Sequence, residues 1–398
     1  MSSYLDNKEK SNCCGCEACV QVCNFNAISM IEDEEGFRYP QIDLEKCVNC
    51  GMCKQVCQYN NNTPKNDSKQ KCWGGSHKSQ EILKESTSGG AFSAIVETWK
   101  EDCIIFGATS DKLDVYHIFV KDKKEIEIFR SSKYSQSRIG NTFIDVKKQL
   151  QDEKNVIFSG TPCQIAGLYN YLGKDYDNLL TVEVICEGVP SPLFIRKYVK
   201  KLEEENKTEI KNINYRFKDN NHWDFEKMKI IFEDNKEKIR ARWTNEFWNI
   251  WLEHLMSRPS CYECLYCTKE RVADLTMGDL WGVHLYCPDL YNNNKGASLI
   301  IANSDKGKFA LEKAKRNMNG RDLDLEKAVC YQGPLRKTID LPKTRDEFMS
   351  DLNSNMSYDE IVKKWNKPHT KKFIVKKYIW GNRQIVFLHN LKKKIRGK

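Results

Sequence analysis

The chain has 398 residues, a formal net charge of +9 and 40% hydrophobic residues, enough for two or three domains with a sizeable core. No run of 18 or more apolar residues occurs, which excludes a transmembrane helix, and the polar start MSSYLDNKEK predicts no signal peptide. Eighteen cysteines in such a chain indicate a reducing compartment and metal ligation, so we expect a cytoplasmic protein.

The positive charge is concentrated at the C-terminus. Residues 366–398 contain nine Lys, two Arg and no acidic side chain, whereas the remainder has 53 basic and 55 acidic side chains. We therefore expect no nucleic-acid-binding surface on the body of the protein. The tail also has apolar residues at helical spacing. Two interpretations stay open for it: a solvated or packed basic helix, or a peripheral docking element for an anionic membrane surface at the inner face of the membrane or for an acidic partner.

Two identical cysteine repeats dominate the first 62 residues. Each has the spacing C-x2-C-x2-C-x3-C, the ligand pattern of a bacterial two-cluster ferredoxin. In this pattern three cysteines of one loop bind one cluster, and the fourth reaches the other cluster. The predicted ligands are therefore crossed: Cys13, Cys16, Cys19 and Cys57 for one [4Fe-4S] cluster, and Cys47, Cys50, Cys53 and Cys23 for the other.

Disulfides and zinc are the alternatives for these cysteines. Disulfide-dense scaffolds belong to oxidising compartments, and zinc sites use C-x2-C pairs without a third cysteine at the next step. One departure from the ferredoxin pattern is visible, because the proline that follows the last cysteine is replaced by Asn24 and Gln58. Cys14 lies outside the pattern and is predicted to be a bystander.

Beyond a polar stretch at 60–70, two loops have the composition of anion-binding segments. The Ser/Gly-rich loop 85–90 leads into an apolar helix, and a helix N-terminus offers free N–H groups to a phosphate. The loop 130–139 is polar and basic. A plain helix cap and a solvated surface loop explain the same sequences equally well. The runs CIIFGAT, VYHIFV and EIEIF between these loops predict strands.

Two further apolar strands each lead to a cysteine. The run at 156–158 continues into Cys163, and the run at 179–185 ends at Cys186. Ligands of α/β sheets bind beyond the carboxyl ends of strands, although buried free cysteines are more often small core residues. A third run, Cys261, Cys264 and Cys267, lacks a fourth cysteine, so a cluster there must take ligands from other segments.

Five motifs together resemble the beta-subunit family of the hydrogenases and dehydrogenases that use the deazaflavin coenzyme F420. They are SGGAFSAI at 88–95, KYSQS at 133–137, FSGTPCQIAGL at 158–168, CEGVPSP at 186–192, and CYEC with RVADLTMGDLWG at 261–282. The N-terminal cysteine repeats fit those family members that carry a two-cluster domain ahead of the flavin domain.

The resemblance implies FAD, a third [4Fe-4S] cluster, and hydride exchange with a deazaflavin or another two-electron partner. The implied flavin contacts are Ser88, Gly89, Gly90, Lys133, Tyr134, Gln136 and Ser137, with Thr161 and Pro162 beside the flavin ring. The implied ligands of the third cluster are Cys163, Cys186, Cys261 and Cys264. The alternative is that Cys163 and Cys186 are core thiols, and that Cys261, Cys264 and Cys267 bind zinc with Cys287.

The sequence thus predicts an α+β or α/β protein with a ferredoxin-like domain at 1–62, a linker at 63–71, a mixed-sheet flavin domain at 72–340 and a basic helical tail at 341–398. The predicted function is an iron–sulfur flavoprotein oxidoreductase that works with a redox partner protein or a two-electron substrate. The alternative is a non-catalytic electron-carrier subunit that docks to a larger complex. No catalytic acid or base is identified, because the His residues are scattered.

Overall fold

The computed structural model describes residues 2–61, 63, 65–66, 69–218, 223, 227–378 and 382–395. Parts of the predicted linker and tail, at positions 64, 67, 68, 379–381 and 396–398, lie outside the described residues. The strands are β1 Ile28–Glu32, β2 Arg38–Ile42, β3 Lys71–His77, β4 Cys103–Asp111, β5 Asp114–Val120, β6 Asn155–Gly160, β7 Leu179–Val184, β8 Ile210–Phe217, β9 Lys227–Phe232, β10 Glu237–Ala241, β11 Leu275–Asp279, β12 Ser298–Ala302 and β13 Met318–Asp322.

Eight of these strands form one mixed sheet in the order β13-β3-β12-β11-β7-β6-β4-β5. The four central strands, β11, β7, β6 and β4, are parallel, and the strands on both sides of them are antiparallel. The carboxyl ends of β6 and β7 are therefore adjacent at one edge of the sheet. The mixed sheet predicted from the sequence is confirmed, within a mixed α/β fold.

Strands and α-helices alternate regularly only in the central part of the chain. They are α1 Tyr4–Asn7, α2 Ala18–Gln21, α3 Met52–Gln55, α4 Gln80–Glu85, α5 Ala91–Thr98, α6 Thr142–Gln151, α7 Pro162–Leu172, α8 Pro192–Asn206, α9 Glu246–Trp251, α10 Pro259–Tyr262, α11 Val283–Tyr286, α12 Asp305–Ala314, α13 Leu325–Val329, α14 Arg345–Asn353, α15 Tyr358–Trp365, α16 Lys371–Tyr378 and α17 Asn382–Ile395. None of the described helices is long and apolar enough to cross a membrane.

Helices cover both faces of the large sheet. On one face α5 and α12 bury Ile95 and Leu311 against the strands, and on the other α6 and α7 bury Phe143 and Leu168. Helix α7 starts directly after β6, with a capping box between Thr161 and Gln164 and proline at its first position. This strand-to-helix turn fixes the position of the segment that carries Cys163.

A second layer is built on the antiparallel sheet β10-β9-β8. Its core is rich in aromatic side chains from α8 and α9, including Phe194, Tyr198 and Phe247. Helices α14 and α15, which lie in the predicted tail region, also bury side chains in this core. Of the described helices, only α16 and α17 come from the basic segment that follows α15.

The N-terminal module, comprising the β1–β2 hairpin and helices α1 to α3, packs closely on the rest of the chain. Arg345 forms a two-pronged ion pair with Glu35 of the module, at 2.9 and 2.6 Å. The side-chain oxygen of Gln21 on α2 accepts the backbone N–H of Phe143 at 2.8 Å, at the start of α6. The module therefore supplies a capping interaction that helix α6 does not obtain from its own sequence.

The strand predicted for EIEIF is wrong. Residues Lys123–Phe129 form a 3-10 helix, which starts with a capping box between Asp122 and Glu125. Ile126 and Phe129 are buried three residues apart, on one side of this turn. The alternation of apolar and acidic residues indicated a strand, but the local cap determines the backbone conformation here.

Candidate functional site

The first predicted cysteine set converges on one cavity in the module. Its lining includes Cys13, Cys16, Cys19 and Cys57, together with Cys14 and Gln58. Burial raises the pKa of the Cys19 thiol, and the neighbouring thiols of Cys16, Cys13 and Cys57 raise that pKa further. The structure thus brings together the four cysteines of the crossed set, with Cys57 contributed by the second repeat.

The same backbone turn occurs in both repeats. Glu17 and Gly51 have left-handed φ angles of 62° and 75° and stand at the N-cap positions of the short helices α2 and α3. Each short helix carries the third cysteine of its repeat and ends before the fourth. The fourth cysteine therefore lies beyond the end of the short helix, as the crossed ligand pattern expects.

The second cysteine set lies at the outer end of the module. Burial raises the pKa of Cys53, and the thiols of Cys47 and Cys50 contribute in the same direction. Cys50 is exposed to solvent. Cys23 accepts the backbone N–H of Ala27 at 3.4 Å, and its assignment to this set stays a prediction.

The third predicted set gathers at the carboxyl edge of the parallel strands. Cys163 lies in the first turn of α7, and Cys186 lies two residues beyond β7. Burial raises the pKa of Cys186, and the thiols of Cys261, Cys163 and Cys264 raise it further. Cys261 is likewise affected by Cys264 and Cys163, and its pKa is raised to about 12, mainly by burial. Four cysteines from three distant segments are therefore neighbours.

Two further cysteines border this third set. Cys267 lies near Cys264 and Cys186, and both thiols raise its pKa. Cys14, predicted to be a bystander, is close enough to Cys16 and Cys163 for both thiols to raise its pKa. Cys16 also lies against Gly167, one turn along α7 from Cys163, so the first and third sets adjoin each other.

The chemistry of the donors fits iron–sulfur clusters better than a single metal ion. Among the described residues, no three His, Cys, Asp or Glu side chains are arranged to hold one metal ion. Cys287, a ligand in the zinc alternative, packs in a separate hydrophobic core with Leu280 and Tyr291. The zinc alternative gains no support from the position of Cys287. Sets of four cysteines are the usual ligands of [4Fe-4S] clusters.

The third set is held to the sheet by a buried ion pair. Arg271, in the loop after Cys267, donates to the carboxylate of Glu183 on β7, and both side chains are buried. Arg271 also donates to the carbonyl oxygens of Tyr266 at 2.5 Å and Thr268 at 2.9 Å. This pair ties the loop that carries Cys264 to the strand that leads to Cys186.

The two loops predicted to bind the flavin lie next to each other. The backbone N–H of Ser132 donates to Thr87 Oγ1 at 3.1 Å, and Arg130 forms an ion pair with Glu85. Lys133 donates to the carbonyl oxygens of Ile128 and Arg130, and burial lowers its pKa to about 8. A partly buried cation in this position suits an anionic group of a ligand.

The other predicted flavin contacts are engaged within the protein. Ser88 Oγ donates to the Ala297 carbonyl at 2.7 Å, and the N–H of Gly89 donates to Ser298 Oγ at 2.9 Å. Gly90, with φ of 76°, stands at the N-cap position of α5. Ser137 Oγ accepts from Gln164 at 2.9 Å.

Three more predicted positions lie close to the cysteine sets or to the aromatic core. Gln136 donates to the Cys14 carbonyl at 2.7 Å, and Tyr134 packs against the rings of Trp248 and Trp251. Thr161 Oγ1 lies 3.2 Å from the Cys163 sulfur. Pro162 occupies the first position of α7. The role of these residues in flavin binding stays a prediction.

Sequence reasoning missed a buried group of charged residues beside the two loops. Arg216 on β8 pairs with Asp279 at the end of β11, and Asp279 also accepts from Trp223 at 2.8 Å. Lys218 donates to the Ser88 carbonyl at 2.8 Å, and burial lowers its pKa to about 7. Asp279 was the sequence feature that could have indicated this group, because it belongs to the RVADLTMGDLWG motif.

Arg258 was also missed. Its side chain is 1% exposed, and it donates to the carbonyl oxygens of Cys13 at 2.8 Å and Arg38 at 3.0 Å. It also donates to Gln136 at 2.9 Å. Arg258 therefore links the loop of the first cysteine set to the core, and no local sequence pattern indicates this role.

Comparisons with known proteins confirm the resemblance drawn from the motifs. Residues 153–324 match the family model for the C terminus of the coenzyme F420 hydrogenase/dehydrogenase beta subunit, and residues 12–61 match a 4Fe-4S dicluster domain. No curated protein matches the chain. Among solved structures, a chain of the F420-reducing [NiFe] hydrogenase complex from Methanosarcina barkeri aligns at 16% identity with a TM-score of 0.42, over 80% of this chain and 94% of that chain.

Proposed function

We propose that the chain is an iron–sulfur flavoprotein oxidoreductase, because residues 12–61 match a 4Fe-4S dicluster domain and residues 153–324 match the family model for the C terminus of the coenzyme F420 hydrogenase/dehydrogenase beta subunit. In this proposal it holds two [4Fe-4S] clusters in the module, a third in the core, and FAD. Its second substrate is a deazaflavin or another two-electron partner. Bound clusters would supply one-electron steps, and bound flavin would link these to two-electron chemistry.

The main support for the proposal is that the first and third cysteine sets lie next to each other. Cys16 of the first set lies against Gly167 on α7, one turn along that helix from Cys163 of the third set. The contact between the module and the core thus brings the two sets next to each other. The cysteines of both sets are at most partly exposed, which suits redox groups that need a defined environment.

The outer end of the module supports a redox protein as the electron donor or acceptor. Cys50 of the second set is exposed. It is flanked in sequence by Leu44, Val48 and Met52, whose side chains are 81%, 55% and 37% exposed. Exposed apolar side chains beside a redox site suit a transient electron-transfer interface, which is typically small.

The flavin is proposed to bind at the adjoining loops 85–90 and 130–137. Lys133 is partly buried, and burial lowers its pKa to about 8, so an anionic group would stabilise the protonated lysine. The phosphates of FAD have this character. Lys218, which donates to the Ser88 carbonyl, is a second lysine at these loops.

Metal and flavin counts on the anaerobically purified full chain test the proposal. We expect about twelve irons, about twelve sulfides and about one FAD per chain, because three four-iron sites are proposed. Cys186→Ser should lose about four irons. The matched control Cys330→Ser changes an exposed cysteine and should lose none. Zinc in place of iron, or no loss with Cys186→Ser, would refute the third site.

The same preparation tests the flavin site. Lys133→Met should lower the flavin content several-fold while the iron content stays unchanged, because it removes the partly buried cation. Lys154→Met, at an exposed position, is the control. A wild-type protein with full iron but without flavin would instead favour the electron-carrier subunit.

A further inference from the structure

Gln58 occupies the boundary between the first and third cysteine sets. Its side chain is 1% exposed. Its amide nitrogen donates to the Cys14 sulfur at 3.2 Å and to the Cys163 carbonyl at 3.0 Å. Its amide oxygen accepts the hydroxyl of Tyr266, from the loop between Cys264 and Cys267. One side chain thus contacts the module and two segments of the core.

The same side chain lines the cavity of the first cysteine set. Gln58 borders this cavity together with Cys13, Cys16 and Cys57, and its amide nitrogen donates to the sulfur of Cys14, which lines the same cavity. An N–H donor at this edge would stabilise negative charge on a cluster bound there.

The position of Gln58 in the repeat makes this contact specific to one cluster site. Gln58 follows Cys57, at the place where bacterial ferredoxins have proline. Proline has no N–H group and could not make these bonds. The corresponding residue of the first repeat, Asn24, is exposed. The residue that replaces proline is thus buried in the second repeat and exposed in the first.

The module and the core are in direct contact beside Gln58. A Cβ atom built at Gly167 on α7 would lie 2.9 Å from the Cys16 Cβ and 3.0 Å from its sulfur. Cys16 therefore rests directly on the helix whose first turn carries Cys163. A rigid, buried contact of this kind keeps the two cysteine sets at a fixed separation.

We propose that Gln58 is a positioning residue that couples the first cluster site to the third and raises the reduction potential at the first. The proposal rests on the proposed function, because it requires clusters at both sites. With clusters at both sites, Gln58 would hold the spacing across which one electron passes, with one cluster oxidised and the other reduced by one unit. No bond forms or breaks and no proton moves in this step. Hydrogen bonds to the sulfurs are a recognised determinant of cluster potential.

Gln58→Met in the full chain tests this role, because methionine keeps the length of the side chain but has no N–H group. Removing a hydrogen bond to a charged group should change the one-electron equilibrium at the first site by about tenfold. For a one-electron couple this corresponds to about 59 mV, toward more negative potential. The measurement is a redox titration followed by electron paramagnetic resonance, with iron counted in the same samples.

Gln55→Met is the matched control, since Gln55 is exposed on α3 of the same module. It should leave all potentials at their wild-type values. Tyr266→Phe removes the hydroxyl that holds the Gln58 amide oxygen. It should shift the first-site potential in the same direction by a smaller amount.

The outcomes separate the inference from the proposed function. Full iron in Gln58→Met with potentials equal to those of Gln55→Met overturns the inference. If Gln58→Met loses iron, Tyr266→Phe becomes the deciding variant. An unchanged first-site potential in Tyr266→Phe then overturns the inference. A wild-type protein with about eight irons instead of twelve would remove the third site, and with it the proposed function. The effect of Gln58 on the first-site potential would still be measurable.

Discussion

At the scale of single residues, buried polar side chains hold the cysteine loops in place. Arg271 and Glu183 are 2% and 0% exposed, so their charges are almost completely removed from water. Burying such charges is costly, and the pair is tolerated because Arg271 has carbonyl partners as well as the carboxylate. Arg271 is the first residue of the RVADLTMGDLWG motif, and its buried ion pair is a structural reason for arginine at that position.

Arg271→Met should lower the free energy of unfolding by about 3–5 kcal/mol, because it leaves the Glu183 carboxylate buried without its partner. Chemical denaturation under anaerobic conditions measures this. Arg196→Met is the control: Arg196 pairs with Glu32 at 2.6 Å, but both side chains are about half exposed. Its cost should be at most about 1 kcal/mol. Equal losses in the two variants would contradict the buried-pair argument.

At the scale of elements, the turn from β6 into α7 determines how the module meets the core. Proline and a capping box start α7 at a defined residue, so that Cys163 falls in the first turn. One turn further along, Gly167 lies under Cys16 of the module. Glycine is unfavourable within a helix by about 1 kcal/mol relative to alanine, so its presence here indicates a steric requirement.

Gly167→Ala should therefore destabilise the protein, although alanine is the better helix former. The added methyl group would meet Cys16 below 3.0 Å, and overpacking of this kind costs about 1–3 kcal/mol. We expect a lower unfolding midpoint and a reduced iron content. Gly333→Ala adds a methyl group where no atom lies within 4 Å and serves as the control. An increase in stability with full iron would show that Cys16 does not rest on α7.

At the scale of the whole molecule, the three cysteine sets extend from the exposed end of the module to the sheet edge in the core. The basic segment at the C-terminus is not part of this arrangement of cysteine sets. Helix α17 buries Val386 in the core that contains Leu280, and Lys393 pairs with Asp289 at 3.1 Å. Its apolar residues Phe387 and Leu388 are exposed. One side of α17 is therefore packed and another presents apolar and basic side chains to solvent.

The docking role predicted for the tail stays a prediction and can be tested with vesicles. Lys392→Gln with Lys394→Gln should weaken sedimentation with anionic vesicles by about thirtyfold, since each basic residue near such a surface contributes about 1 kcal/mol. Neutral vesicles should bind neither protein. Lys207→Gln with Lys211→Gln, at exposed positions of the body, is the control. Unchanged binding by the tail variant would leave α17 as a packed helix only.

The sequence by itself determined the features that depend on local spacing. Both cysteine repeats, the mixed sheet and the helix that follows the Ser/Gly-rich loop 85–90 follow from cysteine intervals and apolar periodicity. The proximity of Cys163 and Cys186 could also be predicted, because adjacent parallel strands end at one edge of a sheet. Local spacing was insufficient for EIEIF, where a cap outweighed the alternation.

The tertiary structure alone decided which side chains join the module to the core. In the sequence Gln58 is a departure from a motif and Cys14 is a surplus cysteine. Arg258 lies 245 residues from Cys13, in the loop that it holds. Such contacts join distant segments and have no period or spacing that a sequence pattern could reveal. They arise when two separately folded surfaces pack together, because every buried polar group at that boundary must then find a partner.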